Sequence, residues 1–319
     1  MRVLITGITG FAGSHLAEYC LAQGSVEVVG LARRRERLGH AAPLVPHLQM
    51  VEADLRDAGG VERAIRDSRP DVIFHLGGQA FVPLAFEDPA GTLLDNAVGQ
   101  LHVILALLRC RPDARLLVVG SGTEYGVVRP EQNPIGEDAP LQPVDPYAVS
   151  KVTQDLLGYQ YFMSHRLQAV RVRPFNHTGP RQSAAFVASG FARQIAEIEA
   201  GRAPPHLSVG NLSAVRDFTD VRDMVRAYYL AGARGEPGEV YNLGSGLGRK
   251  IEEVLRILAG FSKSPLTIEE DPARIRPPES PVLISNPARF RARTGWEAQL
   301  PLERTLADTL EYWRAQLAR

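Results

Sequence analysis

Tyr147 and Lys151 stand four residues apart in the stretch Asp145-Pro146-Tyr147-Ala148-Val149-Ser150-Lys151. On a helix, side chains at that spacing lie one above the other, so both can enter one cavity. Pro146 suits the first turn of such a helix. A phenol of pKa ~10 is a poor acid-base group at neutral pH, and a neighbouring ammonium lowers that value by stabilising the phenolate. The pair therefore suits proton transfer to or from an oxygen. A solvated helix face offers the same pair by chance, so its weight depends on two other features. These are a glycine-rich turn at the N-terminus and Ser121 at the end of a strand.

The elements that must position these residues follow from hydrophobic runs and turn chemistry. Residues 2–6 (RVLIT) read as a strand buried on both faces. They run into Gly7-x-x-Gly10-x-x-Gly13, with Phe11 and Ala12 inside the turn, then a helix over 14–23. Such glycines permit a tight turn, close approach to a pyrophosphate and close helix–strand packing, and the helix N-terminus faces the phosphates. Residues 26–31 form the second strand. An acid is expected at its end to hold the adenosine ribose, but Ala32 stands there, followed by Arg33, Arg34 and Arg35. The arginines suit a 2′-phosphate, so the cofactor is expected to be NADP(H); a solvated basic loop is the alternative. Residues 48–51 lead to Asp54-Leu55, where Asp54 meets the adenine or caps a helix. Residues 71–76 form a strand ending in Leu76, then Gly77-Gly78-Gln79, whose small residues admit backbone close to the cofactor. His75 reads as a core histidine. Asn96 begins an apolar helix ending near Cys110 and braces the site or serves as a polar core residue. Residues 115–120 deliver Ser121-Gly122-Thr123-Glu124-Tyr125-Gly126 to the carboxyl end of the sheet, where ligands bind in open α/β folds. A polar loop over 127–144 lies over the site, and 168–173 form the sixth strand. The alternation predicts an α/β, Rossmann-type doubly wound parallel sheet.

Beyond Pro174 the pattern changes. Helices are expected over 185–200, 221–233, 251–261 and 302–317, with short strands at 207–209 and 240–242. This gives a nucleotide-binding domain over 1–174 and a smaller C-terminal α/β substrate domain over 175–319, with interleaved elements. Arginines recur in its loops. Arg216 and Arg276 stand out because guanidinium groups bind diphosphate oxygens bidentately. Lys+Arg and Asp+Glu both number 36, which gives no general pull toward nucleic acid or a membrane surface. Cys20 and Cys110 read as buried thiols, and no metal-ligand spacing is present. The longest apolar run, over 103–108, is too short to span a bilayer. The first strand starts at Arg2, leaving no room for a signal peptide, and the chain reads as cytoplasmic.

The glycine triplet, Asp54-Leu55, Asn96, Ser121, Tyr125-Gly126, Tyr147, Lys151, Arg173-Pro174 and YNLGSG together resemble the extended short-chain dehydrogenase/reductases, most of which act on nucleotide-sugars. RPFNHTGPRQ and GNLSAVRDFTDVRD resemble the branch holding GDP-4-keto-6-deoxy-mannose reductases and GDP-mannose 4,6-dehydratases. The resemblance implies that Tyr147 donates the proton, Ser121 orients the carbonyl, and Lys151 lowers the phenol pKa and holds the nicotinamide ribose. Pro174 and His177 then complete the cofactor set. Asn176, Arg216 and Arg276 would contact the GDP-linked 4-keto-6-deoxy sugar through its diphosphate, and Gln182 would line the sugar or nicotinamide side. His177 equally suits loop bracing. Related dehydratases carry a carboxylate where Thr123 stands; Glu124 is one place along and, on a strand-like segment, would face away. Reduction to GDP-D-rhamnose is therefore expected, with a dehydratase, an epimerase or a non-catalytic nucleotide sensor as alternatives. A homodimer through helices at 99–109 and 151–164 is also implied. Replacing Arg33 and Arg34 together by Ala should weaken NADPH binding far more than NADH binding, by about 1.5–3 kcal/mol per lost charge-assisted contact. Titration of both cofactors checks this, and equal losses would contradict it.

Overall fold

The structure, a computed structural model, describes residues 1–34, 38–271 and 280–318. Arg35 and Arg276 lie outside the described residues. In the first half, strands β1 (Arg2–Thr6), β2 (Glu27–Ala32), β3 (Gln49–Glu52), β4 (Val72–His75), β5 (Arg115–Val119) and β6 (Gln168–Pro174) alternate with helices. Those helices are α1 (Phe11–Ala22), α2 (Ala58–Ser68), α3 (Val82–Glu87), α4 (Pro89–Leu93), α5 (Gly99–Cys110) and α6 (Pro146–His165). The second half holds β7 (His177–Thr178), α7 (Val187–Glu199), β8 (His206–Val209), β9 (Val215–Asp217), β10 (Thr219–Asp220) and α8 (Val221–Arg234). It continues through β11 (Val240–Leu243), β12 (Gly248–Lys250), α9 (Ile251–Gly260), β13 (Thr267–Glu270), β14 (Val282–Leu283), α10 (Ala288–Thr294) and α11 (Leu302–Leu317).

The central sheet has seven strands in the order β11-β6-β5-β4-β1-β2-β3, and every neighbouring pair is parallel. The chain winds outward from β1 to β3, then returns to build β4 on the other side of β1. That reversal opens a crevice at the carboxyl ends of β1 and β4. Successive residues of β1 face opposite sides: Val3 and Ile5 pack with α1 and α8, whereas Leu4 packs with α2 and α5. Burial on both faces explains the uninterrupted apolar runs. The strand expected at 240–242 becomes the sheet's outermost strand beside β6, and α8 covers the sheet face next to α1. Elements from the second half thus complete the first fold, while α7, α9, α11 and β8 share a separate core.

One boundary differs from expectation. Asn96 does not begin its helix. The helical run starts at α4, where the Asp88 carboxylate accepts from Gly91 N at 2.8 Å and Pro89 occupies the first turn. Asn96 falls in a π-turn over Leu94–Val98 that joins α4 to α5. The continuous run Pro89–Cys110 is long and apolar enough to cross a bilayer, unlike the short run visible in sequence, but half of its most apolar window is packed inside the fold.

A buried polar network ties β6 to α6 and to the turn after β5. Arg173 donates from Nε to Asp155 Oδ2 at 2.9 Å and from Nη1 to the Tyr125 hydroxyl at 3.0 Å. Its Nε also lies 3.1 Å from Glu124 Oε2. Arg171 takes the other Asp155 oxygen at 2.6 Å. Gly158 allows α6 to approach this strand: a Cβ there would meet Arg171 Cγ at 3.3 Å and Val118 Cγ2 at 3.2 Å. Arg173→Met would leave the buried Asp155 carboxylate with Arg171 alone and would remove the shared partner of Glu124 and Tyr125. Urea unfolding should show a loss on the order of 3–5 kcal/mol; a loss below about 1 kcal/mol would show that the network is solvent-screened.

Candidate active site

A cleft of about 800 Å³ opens at the switch point between β1 and β4. Its floor is the glycine turn. Gly7 has φ +68°, and a Cβ there would lie 2.8 Å from Gly77 Cα; a Cβ on Gly13 would lie 2.2 Å from the Gly7 carbonyl oxygen. Both positions therefore demand glycine. Thr6 Oγ1 accepts from Gly77 N at 2.9 Å and meets His75 Nδ1 at 3.0 Å, locking the ends of β1 and β4 together. Burial, with Lys151 nearby, lowers the His75 pKa to about 3, so the imidazole is neutral.

The catalytic candidates converge on this cleft. Ser121, Tyr147 and Lys151 all line it, and the Ser121 hydroxyl lies close enough to the Tyr147 phenol to favour its ionised form. Asp145 caps α6 by accepting from Ala148 N at 2.8 Å, which sets the helix start just before Tyr147. Tyr147 and Lys151 then face inward one turn apart. Lys151 Nζ donates to Val119 O at 3.0 Å and to Gln154 Oε1 at 2.8 Å, and lies 5.8 Å from the Tyr147 ring centroid. Burial lowers the Lys151 pKa to about 8, against the opposing pull of Glu124. The phenol departs from the sequence expectation. Burial raises its pKa, outweighing the opposing effect of Ser121, and the charges of Glu124 and Asp145 act in the same direction as burial. Tyr147 is consequently protonated at neutral pH and stands ready as an acid.

Most of the other sequence candidates border the same cleft. Gly10, Phe11, Ala12, Arg33, Asp54, Leu55, Leu76, Gly77, Gly78, Thr123, Pro174, Asn176, His177, Gln182 and Arg216 all line it. Four do not. Arg34 is exposed beside the cleft. Gln79 turns its side chain into its own loop, onto Phe81 and Thr92. Asn96 is fully buried: Oδ1 accepts from Gln79 N at 2.7 Å, and Nδ2 donates to Gln79 O at 3.0 Å and Ser150 Oγ at 2.8 Å. It joins the β4 loop to α6 and does not reach the cleft itself.

Glu124 is the fourth, and the reason is local. The expected strand-like segment is a 3-10 turn, Gly122–Tyr125, capped by Ser121. Its Oε1 accepts from Ser121 N at 2.7 Å, and the side chain lies fully buried beneath the turn against Arg173. Thr123 instead faces the cleft and donates from Oγ1 to Ser121 Oγ at 2.9 Å.

Several lining residues escaped the sequence reading. Arg181, held by Glu18 at 2.5 Å and Ser14 at 3.2 Å, borders the cleft, as do His40, Phe186 and Tyr228. Arg181 sits in the same polar segment as His177, but only the fold distinguishes it from surface charge. Among the described residues, no group of three or more His, Cys, Asp or Glu could hold a metal ion.

A family model described as GDP-mannose 4,6 dehydratase matches residues 4–309. This chain belongs to that family of short-chain dehydrogenase/reductases. It is 35% identical to a GDP-6-deoxy-D-mannose reductase of Pseudomonas aeruginosa over 99% of this chain and 98% of that one. A GDP-mannose 4,6-dehydratase of Vibrio cholerae is 28% identical over 96% and 92%. A UDP-glucose 4-epimerase of Mycolicibacterium smegmatis is 31% identical over 98% and 99%. Among solved structures, RMD from Pseudomonas aeruginosa complexed with NADPH superposes with a TM-score of 0.87 at 34% identity, covering 99% of each chain.

The buried Glu124 makes a prediction independent of turnover. Burial, and the presence of Asp155 on the same arginine, raise its pKa to about 8, although Arg173 opposes them. A raised folded-state pKa stabilises below the unfolded value of ~4.5 and loses that contribution as pH rises toward the folded value. Glu124→Gln keeps an acceptor for Ser121 N without the charge. Its melting temperature relative to wild type should therefore rise between about pH 4.5 and 8; a relative fall over that range would show that Arg173 dominates.

Proposed function

We propose that this protein reduces the C4 ketone of GDP-4-keto-6-deoxy-D-mannose with NADPH, forming GDP-D-rhamnose. One observation carries the choice of reaction within the family. The cleft-facing place beside Ser121 and Tyr147 is Thr123, a hydroxyl, while the neighbouring Glu124 carboxylate is buried under the turn. Removing water across C5 and C6 needs a base for the C5 proton, and a threonine hydroxyl is a very weak one. Reduction needs only a proton donor at the ketone oxygen. The reductase relative, 35% identical over nearly the whole chain, supports the same choice.

A nicotinamide dinucleotide suits the cleft because Gly7, Gly13 and Gly77 bring backbone together where a pyrophosphate needs room. Arg33 borders the cleft after Ala32, which favours a 2′-phosphate and hence NADPH. When bound, NADPH supplies the hydride that attacks C4. Tyr147 protonates the developing alkoxide, and its raised pKa keeps it in the donating form. Ser121 holds the same oxygen. Lys151 keeps its ammonium at neutral pH, holds the nicotinamide ribose and stabilises negative charge forming nearby. Asn176 and Arg216, which line the cleft, would take the diphosphate, and Gln182, bonded to Thr178 and His177, would hold the loop that lines the sugar or nicotinamide side. The sequence candidate Arg276 completes that set in the proposal.

The proposal extends to a cytoplasmic homodimer. Leu93 and Leu94, before α5, and Val149, Leu156 and Met163 on α6 expose large apolar side chains on adjoining helices, a surface suited to a second copy. The competing reading is a dehydratase or epimerase, as other relatives are. A product assay separates them. Supplied with GDP-4-keto-6-deoxy-D-mannose, the protein should oxidise NADPH and form a 6-deoxy-hexose product. Supplied with GDP-mannose and catalytic NADP⁺, it should accumulate no 4-keto product. Efficient accumulation would reject the reductase assignment, and loss of that activity in Glu124→Gln would identify the base.

A further inference from the structure

Tyr228 on α8 is a second phenol in the cleft. It is 1% exposed, yet it lines the cavity, and it reaches it from the sheet face that α1 and α8 cover. Its ring stands edge-to-face on His177, at 6.4 Å and 86°, and His177 in turn stacks on Phe11 at 5.9 Å and 7°. His177 spends Nδ1 on the Phe175 carbonyl at 3.1 Å. Among the described residues, nothing is hydrogen-bonded to the Tyr228 hydroxyl. Burial and the nearby Tyr147 phenol both disfavour its ionisation, so it stays neutral and able to donate. A hydroxyl on the cleft wall with no protein partner is open to an acceptor on a ligand. The wall it belongs to adjoins the glycine turn through Phe11, the side along which a dinucleotide runs. On the proposed function the sugar lies toward Thr123 and Arg216, which line the same cleft.

We infer that the Tyr228 hydroxyl donates a hydrogen bond to the carboxamide of the bound nicotinamide, holding that ring against the Phe11–His177 wall and opposite Tyr147. Tyr228 is thus a positioning residue. This rests on the proposed use of NADPH, but not on the identity of the sugar.

Tyr228→Phe keeps the ring and its packing and removes only the hydroxyl. The dissociation constant for NADPH, measured by calorimetry, should rise about 3–10-fold, the range of one hydrogen bond. Binding of 2′-phospho-ADP-ribose, which lacks only the nicotinamide, should be unchanged. The melting temperature of the free protein should stay level or rise. Unchanged NADPH affinity overturns the inference, including the case where only the KM for the sugar increases. Equal weakening of both ligands, or a lowered melting temperature, overturns it in favour of a structural role. Failure of the wild type to bind NADPH would instead overturn the cofactor reading itself, and this inference with it.

Discussion

The active site depends on one buried guanidinium. Arg173, at the end of β6, lies between Asp155 on the Tyr147 helix and Glu124 beneath the Ser121 turn. A charge removed from water is tolerable only when paired and hydrogen-bonded, so the position of Arg173 constrains both partners. Moving α6 along the sheet would strip Asp155 from Arg171 and Arg173 together. Moving the turn would take Glu124 from the arginine and from Ser121 N. The hydroxyl and the phenol that meet in the cleft are therefore held in register from below, by groups that never touch a ligand.

The same arrangement limits the chemistry. Glu124 is the acid closest in sequence to Ser121, and its carboxylate is spent on structure. Around Ser121 stand a neutral phenol, two hydroxyls and the ammonium of Lys151, and the carboxylate of Asp145, which also lines the cleft, is spent on capping α6. This set can donate a proton and stabilise an oxyanion; it offers little to abstract a proton from carbon. A family that includes dehydratases, epimerases and reductases can thus differ in reaction through which way one carboxylate points, on a common fold.

Much of this was legible in the sequence because the responsible signals are local. The glycine spacing, the apolar runs of β1 to β6 and the Tyr147–Lys151 interval each report on a few neighbouring residues. What was not legible depends on tertiary partners. The π-turn that holds Asn96 lies within a helical run that begins at the Asp88 cap, eight residues earlier, and has no local signal in the apolar pattern. The expectation of a lowered Tyr147 pKa left out the burial of the phenol, which only the packed cleft reveals. Glu124 was expected to face away for the wrong local reason: a capped 3-10 turn, not a strand, buries it. Tyr228 lies in an ordinary amphipathic helix pattern, and only the packing of α8 on the sheet brings it to the cleft.

The groups around Ser121 and Tyr147 supply an acid for oxygen, while the neighbouring carboxylates of Glu124 and Asp145 are spent on the turn and on the α6 cap. The most direct measurement is reduction of the 4-keto sugar by NADPH in D₂O, with the product's carbon-bound deuterium read by NMR. The account predicts no deuterium at C3 or C5 beyond that taken up by the sugar without enzyme, and only hydrogen from the cofactor at C4. Enzyme-dependent deuterium at C5 would reveal a carbon base in the cleft and contradict the account.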